Sequence, residues 1–135
     1  MSSREKAEIF LRAALSKKAT DPVLLRLREV TPLSDYFLIV SARSGRQVRA
    51  VAEAIVEDAK KHGIQKISSE GVSQTHWALI DYGDVIVHVF HKPVREFYDL
   101  EGLWAEALRE EFTGELAVEI QKAAESPEEE DWEDF

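Results

Sequence analysis

The chain has 135 residues, no cysteine and a formal net charge of −9, which fits one domain with one hydrophobic core. The absence of cysteine excludes a disulfide framework, a thiolate metal site and a cysteine nucleophile. No apolar stretch reaches the ~20 residues that span a bilayer, and an N-terminus containing Glu5 and Glu8 is atypical of organellar transit peptides, so we expect a cytoplasmic protein.

The first three predicted elements are a helix and two strands. Ser2 and Glu5 have the spacing of a capping box, and apolar residues recur behind them at helical intervals until Pro22. Residues 23–30 alternate apolar and polar side chains, a pattern typical of a strand wetted on one face. The continuously apolar run 36–40 instead predicts a strand that is buried on both faces.

The clearest helical pattern follows Ser44 and Gln47, which have a second capping-box spacing. Six apolar residues within 48–59 fall on one helical face, and Gly63 stands at the C-terminal capping position. Three arginines around the helix start could bind a phosphate or an acidic surface, or could simply form a solvated basic face: Arg43, Arg46 and Arg49.

Three further strands are predicted over 64–69, 77–80 and 85–90. The last two are separated by residues 81–84, Asp-Tyr-Gly-Asp, whose glycine suits a tight turn between antiparallel strands. A helix linking parallel strands and a hairpin linking antiparallel ones together predict a mixed sheet of about five strands. The fold class is therefore α/β, a two-layer domain with helices packed on the sheet.

A third helix is predicted to begin near Pro93 and to run to about Lys122. Four residues would share one face of it, with the aromatic ones in the core: Phe97, Leu100, Trp104 and Leu108. The remaining segment, 125–135, is predicted to be a disordered acidic tail, so that the folded domain spans 1–124. Residues 1–105 contain 15 Lys and Arg against 14 Asp and Glu, whereas 106–135 contain 2 against 12. This division disfavours nonspecific binding of nucleic acid and favours a basic protein partner.

Candidate chemistry centres on the hairpin. Asp81 and Asp84, followed by His88 and His91, could form a metal or acid–base site, but Asp-X-Gly-Asp is also ordinary turn chemistry, and we expect no metal. No Gly-X-Ser-X-Gly elbow or Gly-rich phosphate loop is present in the sequence. Two aromatic residues at a strand start and a turn could be exposed anchors for a partner: Trp77 and Tyr82. The alternative for Trp77 is that it covers the sheet edge.

Several ordered segments of the sequence resemble the signature blocks of the Iojap, or ribosomal silencing factor, family. The resemblance covers about residues 6–105 and is most distinctive over 77–90. The blocks are SDYFLIV at 34–40, RQV at 46–48, Glu70-Gly71, WALIDYGDVIVHVF at 77–90, Arg95, FYDLE at 97–101 and Leu103-Trp104.

The resemblance implies a fold similar to that of nucleotidyltransferases and a function in translation. Members of this family bind the large ribosomal subunit through ribosomal protein uL-fourteen, block joining of the small subunit and repress translation during nutrient limitation. We further expect no catalysis and no cofactor, and the division of charge leads us to expect little direct rRNA contact; a homodimer is possible. The partner-binding residues it suggests are Trp77, Asp81, Tyr82, Asp84, Tyr98 and Glu101.

Two other hypotheses stay open on the sequence. One is a metal-dependent nucleotidyl or phosphoryl transferase that uses Asp81 and Asp84, although the Gly-Ser motif that precedes the paired carboxylates in such enzymes is missing. The other is a general interaction module whose acidic tail is the recognised element. The tail also departs from the family pattern, which usually ends soon after the position of Trp104.

Overall fold

A computed structural model describes residues 1–72 and 76–125, and within these ranges the chain forms a mixed α/β structure. In chain order the elements are α1 (Ser3–Ser16), β1 (Thr20–Arg26), β2 (Tyr36–Ala42), α2 (Gly45–Lys61), β3 (Ser68–Glu70), β4 (Trp77–Asp81), β5 (Val85–His91), α3 (Lys92–Tyr98), α4 (Leu100–Leu103), β6 (Leu108–Glu110) and α5 (Gly114–Glu125). No helix in the described ranges is long and apolar enough to cross a membrane.

The strands form one mixed sheet in the order β3-β4-β5-β2-β1-β6. The central pair, β2 and β5, is parallel, with Tyr36 opposite Val85 and Ala42 opposite His91, whereas the remaining pairs are antiparallel. The mixed α/β prediction is confirmed, with six strands described in place of about five. The strand β2 is buried along its whole length, as its apolar sequence predicted.

The predicted helix starts are confirmed at both capping serines. The Ser2 Oγ accepts a hydrogen bond from the Glu5 N–H (3.1 Å), and the Glu5 carboxylate accepts one from the Ser2 N–H (2.7 Å). At α2, the Ser44 Oγ accepts from the Gln47 N–H (3.1 Å), but the Gln47 side chain bonds elsewhere, so this second capping box is only half formed. Gly63 has the left-handed φ of 74° that a helix C-terminus favours.

The two faces of the sheet are covered unequally. The larger core lies beneath α1, α2 and α5 and contains, for example, Phe10, Ile55 and Leu116. On the opposite face a smaller cluster, which includes Phe37 and Phe90, lies under the short helices α3 and α4. Because these two helices are only seven and four residues long, they leave part of this second face in contact with solvent.

The prediction of one helix from Pro93 to about Lys122 is wrong. Asp99 adopts the left-handed conformation (φ 45°), so α3 ends there, and its Oδ1 then accepts a hydrogen bond from the Gly102 N–H (3.2 Å) at the start of α4. Residues 108–110 next form β6, which pairs antiparallel with β1. An aspartate tolerates this conformation because its short side chain bonds locally, and the sequence pattern did not indicate the break.

Strand boundaries also differ from the prediction. The first strand spans 20–26 instead of 23–30, and the third spans 68–70 instead of 64–69. The hairpin of β4 and β5 is confirmed: the Gly83 N–H donates to the Asp81 Oδ1 (2.7 Å), and Gly83 has a φ of 88°. In the predicted tail, Glu125 is the last residue of α5, and residues 126–135 lie outside the described ranges.

Candidate partner-binding surface

The candidate site lies on the incompletely covered face of the sheet. Side chains alternate between faces along β4, so Ala78 and Ile80 enter the large core while Trp77 and Leu79 join the smaller cluster. Cross-strand neighbours share a face, and Glu70 pairs with Leu79 across β3 and β4. This outer face therefore presents an apolar centre with a carboxylate beside it.

Six apolar side chains on the outer face, on β4 and in the α3–α4 region, are partly or largely exposed. Phe97 is 82% exposed and Leu103 is 76% exposed, and large apolar residues that are exposed together on one surface are typical of interaction sites. Trp104 is partly buried, with its ring 5.8 Å from that of Phe37. We refer to the following six residues as the apolar patch: Trp77, Leu79, Phe97, Tyr98, Leu103 and Trp104.

Trp77 is held in place from several sides. Its indole stacks on Phe90, with ring centroids 4.6 Å apart, and lies 5.1 Å from the ring of Tyr98. Its Nε1–H donates a 3.1 Å hydrogen bond to the Nδ1 of His88. A side chain that is already fixed loses little conformational entropy when a partner binds, so Trp77 is well suited to act as an anchor.

His88 lies in the layer beneath Trp77 and is only 3% exposed. Burial away from water lowers the pKa of His88 to about 4, so the ring is neutral at physiological pH. Because the Nδ1 accepts the hydrogen bond from the indole N–H, the neutral imidazole carries its own proton on the Nε2. That Nε2 is buried and has no hydrogen-bond partner among the described residues, while the ring of Phe37 lies edge-on to the imidazole at 4.6 Å.

A buried ion pair fixes α3 and α4 against the sheet. The Arg95 guanidinium bonds both carboxylate oxygens of Glu101, at 3.1 and 3.0 Å. It also donates to the Asp21 carbonyl (2.7 Å) and to the Ser41 Oγ (2.8 Å). The hydrogen bonds from Arg95 lower the pKa of Glu101. This network connects β1, β2, α3 and α4, and so sets the position of Phe97 and Tyr98.

The structure does not bring the six predicted site residues together on one surface. Trp77 and Tyr98 lie together in the apolar patch, and Asp81 is on the same face of β4 as Trp77 because side chains alternate along the strand. The Glu101 carboxylate is bound within the chain by Arg95. Asp84 lies on the α1 side, where its Oδ2 is 3.0 Å from the Lys6 ammonium.

Tyr82, which could have been an exposed anchor on the sequence, is buried. Its side chain is 7% exposed and stacks on Phe10 of α1 at 4.3 Å, and burial raises the pKa of Tyr82 to about 12. Tyr82 is a core residue because the turn directs its ring inward. It therefore presents little surface to a partner.

The hairpin carboxylates do not converge on a common point. Asp81 accepts a backbone hydrogen bond within the turn, and Asp84 forms an ion pair with Lys6 across to α1. Among residues 1–72 and 76–125 no group of three or more His, Asp or Glu could hold a metal ion. The arrangement fits the turn interpretation for Asp81, which stabilises the turn itself, whereas Asp84 connects the hairpin to α1.

Sequence reasoning missed part of the patch. Phe97 was predicted to lie in the core, but α3 ends one residue later, and the ring projects into solvent. Leu103 and Leu79 were not identified as surface residues. The one available signal was the density of aromatic and apolar residues between 97 and 104, which exceeds what two short helices can bury.

Comparison with known proteins gives a consistent result. Residues 1–134 match the family model described as "Ribosomal silencing factor during starvation". A ribosomal silencing factor from Halalkalibacterium halodurans is 39% identical over 117 residues, covering 87% of this chain and all of that protein. The chloroplastic protein Iojap of Zea mays is 33% identical over 96 residues, which cover 71% of this chain and 42% of that protein. A crystal structure of a Chromobacterium violaceum protein superposes with a TM-score of 0.76 at 32% identity, covering 87% of this chain and 97% of that one.

Proposed function

This chain belongs to the ribosomal silencing factor family, and from that premise we propose that it binds the large ribosomal subunit through ribosomal protein uL-fourteen. Bound there, it occupies the face on which the small subunit docks. Joining is blocked sterically, and translation is repressed when nutrients are limiting. The protein acts in the cytoplasm as a regulator and makes or breaks no covalent bond.

The observation that supports this proposal is the apolar patch. Interfaces concentrate binding energy in a few aromatic anchors that are well packed and surrounded by residues that exclude water. Trp77 is such an anchor because Phe90 and His88 fix its ring, and the exposed Phe97 and Leu103 extend the contact area beside it. Burying them against a partner removes apolar surface from water, which is favourable at roughly 25 cal/mol per Å².

Charge at the edge of the patch favours a basic protein partner. Glu70 and Asp81 are placed by strand register on the same face as Leu79. Carboxylates around an apolar centre can meet the Lys and Arg of a ribosomal protein, which raises the association rate and fixes orientation. The same carboxylates repel phosphate, so the patch itself is a poor rRNA contact.

Steric exclusion explains how a protein without a catalytic site can control translation. The small subunit and the silencing factor would compete for one surface, so the effect depends on the affinities and concentrations of the two competitors and needs no chemical step. In this mechanism a substitution affects silencing in proportion to the contribution of that residue to the binding interface. Substitutions in the patch should therefore weaken binding and silencing together.

The test is a subunit-joining assay with separated ribosomal subunits. We expect the wild-type protein to sediment with large subunits and to reduce the formation of joined ribosomes in a concentration-dependent way. Trp77→Ala should weaken binding by more than about 1 kcal/mol, roughly fivefold or more. The matched control is Val118→Ala, an exposed apolar residue of α5 on the other face of the sheet, which should bind as the wild type does. Wild-type protein that neither sediments with large subunits nor reduces joining would refute the proposal.

A further inference from the structure

The last helix of the described ranges, α5, buries little of its surface. Of its 12 residues only Leu116 is buried, at 3% exposure, and Ile120, one turn later, is partly buried against the same larger core. The helix α2 has 17 residues, and seven of them are buried. An isolated helix of about 12 residues is marginal in water, so α5 depends on this narrow row of contacts with the rest of the fold.

Cavities lie along both sides of this row of contacts. One cavity, of about 360 Å³, is lined by Pro22 and Val23 of β1 and by Ala117 of α5. The other, of about 310 Å³, is lined by Leu15 of α1 and by Ala123 of α5. Spaces of this size admit water, so both flanks of α5 lack the close packing of a protein interior.

The ion pair between α5 and α1 is exposed to solvent. The Arg12 Nε lies 3.5 Å from the Glu119 Oε2, and each side chain is 47% exposed. Ion pairs of this kind contribute little to stability, because solvent screens them. At the start of the helix, Gly114 has a φ of 65°, and a methyl group added there would meet no atom within 4 Å. The chain can therefore change direction at this glycine without a steric clash.

The chain just before this helix is firmly attached to the rest of the domain. The Glu110 carboxylate accepts a hydrogen bond from the Tyr36 hydroxyl at 3.0 Å and also binds the Arg4 guanidinium. The Arg4 Nη2 donates to the Glu111 carbonyl at 2.9 Å, and the guanidinium lies 5.2 Å from the centre of the Phe112 ring. The strand β6 also pairs with β1. The firm attachment of the chain thus extends to residue 112 and ends there.

We propose that α5 unfolds as a unit, with Gly114 as its hinge, while the rest of the domain stays folded, and that α5 is therefore the site at which a protease cuts the folded protein. Regions with few buried apolar contacts open at a lower free energy than the whole fold does, and cleavage follows the population of the open form. The reaction hydrolyses one backbone peptide bond with one water molecule and leaves a new carboxylate and a new amine. The catalyst is an external endopeptidase, and the exposed Glu115 and Glu119 suit one that cuts after glutamate.

Opening of α5 leaves the apolar patch in place. Trp77 and Trp104 of the patch pack on the smaller cluster, on the opposite face of the sheet from the core that contains Leu116. A cut in α5 uncovers apolar side chains beside the helix, such as Leu15 and Val23, and gives proteolysis a route to lower the abundance of the protein. The inference rests on the packing of α5 alone, so it can hold or fail independently of the proposed function.

Amide hydrogen exchange of the full chain tests the opening directly. We expect the amides of residues 118–124 to exchange as a group, at least about 100-fold faster than those of β2 and β5. Their exchange rate should change little in low concentrations of urea, because opening α5 exposes little surface, whereas the exchange rate of β2 should rise steeply. The paired amides of β6 should stay in the slow group. Exchange of α5 at the rate of β2, or exchange of β6 together with α5, would overturn the proposal.

A Glu-specific endopeptidase then compares two helices of the same chain. The helix α2 carries the exposed Glu53 and Glu57, as α5 carries the exposed Glu115 and Glu119. Mass spectrometry of the early products therefore measures local opening at matched sites. We expect cleavage after the two glutamates of α5 well before cleavage after those of α2. Equal rates in the two helices would contradict the proposal.

Three variants separate local opening from global unfolding. Leu116→Ala removes the buried contact of α5 and should speed cleavage in α5 at least about tenfold, whereas Val118→Ala changes a side chain of the same helix that is 53% exposed and should have less than about a twofold effect. Ile39→Val weakens β2, which stays folded when α5 opens, so it should speed cleavage in α2 about fivefold and leave cleavage in α5 unchanged. Equal acceleration of both helices by Ile39→Val, or no effect of Leu116→Ala on α5, would mean that α5 opens only when the whole domain unfolds.

Discussion

Acidification should destabilise the protein through His88, beneath Trp77. The pKa of His88 is lowered from 6.5 to about 4 by burial, so between these values the unfolded chain binds a proton that the folded chain does not. Stability is therefore fully present above pH 6.5 and falls as the pH decreases toward 4. Each pH unit in that interval costs up to about 1.4 kcal/mol, which gives a total of about 3 kcal/mol.

The measurement is urea unfolding at several pH values from 7.5 to 4.5, compared with His88→Gln. Glutamine does not titrate, yet it retains an oxygen that can accept the Trp77 indole hydrogen. We expect the unfolding free energy of the wild type to fall by about 1 kcal/mol between pH 6.5 and pH 5.5 because of His88. The variant should lack this component whatever its absolute stability.

The comparison of slopes isolates His88 from other acid-sensitive groups. Glu101 has a lowered pKa because of Arg95, so its contribution is lost only as the pH falls below the ordinary range of a carboxyl group. Identical pH dependence in the wild type and His88→Gln above pH 5 would refute the reasoning. It would mean that the imidazole can be protonated in the folded state without cost.

Two further predictions concern the structural support of the apolar patch, and urea unfolding measures both. Arg95→Leu leaves the largely buried Glu101 carboxylate without its bidentate partner and should lower the unfolding free energy by about 2–4 kcal/mol. The control Arg109→Leu removes an exposed guanidinium 3.9 Å from the same carboxylate and should lower it by less than about 1 kcal/mol. Equal effects of the two substitutions would contradict this reasoning. Gly71→Ala should cost more than about 2 kcal/mol, because its φ is 77° and the added methyl would collide with the Trp77 carbonyl oxygen. The control Gly63→Ala has a similar φ of 74° but no atom within 4 Å of the added methyl, so it should lower the unfolding free energy by only about 1 kcal/mol. A larger loss in Gly63→Ala would show that backbone strain alone explains the effects of both substitutions.

The elements that the sequence predicted well are those fixed by local chemistry. The capping interactions of Ser2 and Ser44 need only residues within one turn, and the hairpin is specified by Asp81 and Gly83. The end of α3 could not be predicted in the same way. It depends on Asp99 adopting a left-handed conformation while the Arg95 guanidinium is held by groups distant in sequence.

The candidate site was predicted only in part, because residue type does not determine the direction of a side chain. Trp77 and Tyr82 are both aromatic and lie near the ends of β4, yet one faces the apolar patch and the other stacks on Phe10. Their difference follows from strand alternation combined with the turn geometry. Phe97 was assigned to the core from a helical period that continues beyond the true end of the helix.

The central claim is that the apolar patch is the surface that binds the large ribosomal subunit. The most direct measurement is the equilibrium affinity of large subunits for Phe97→Asp and for Val118→Asp. Both wild-type side chains are more than half exposed, so neither change should unfold the protein. The account predicts at least about a tenfold loss for Phe97→Asp and no change for Val118→Asp. Unchanged affinity in folded Phe97→Asp, or an equal loss in both variants, would contradict it.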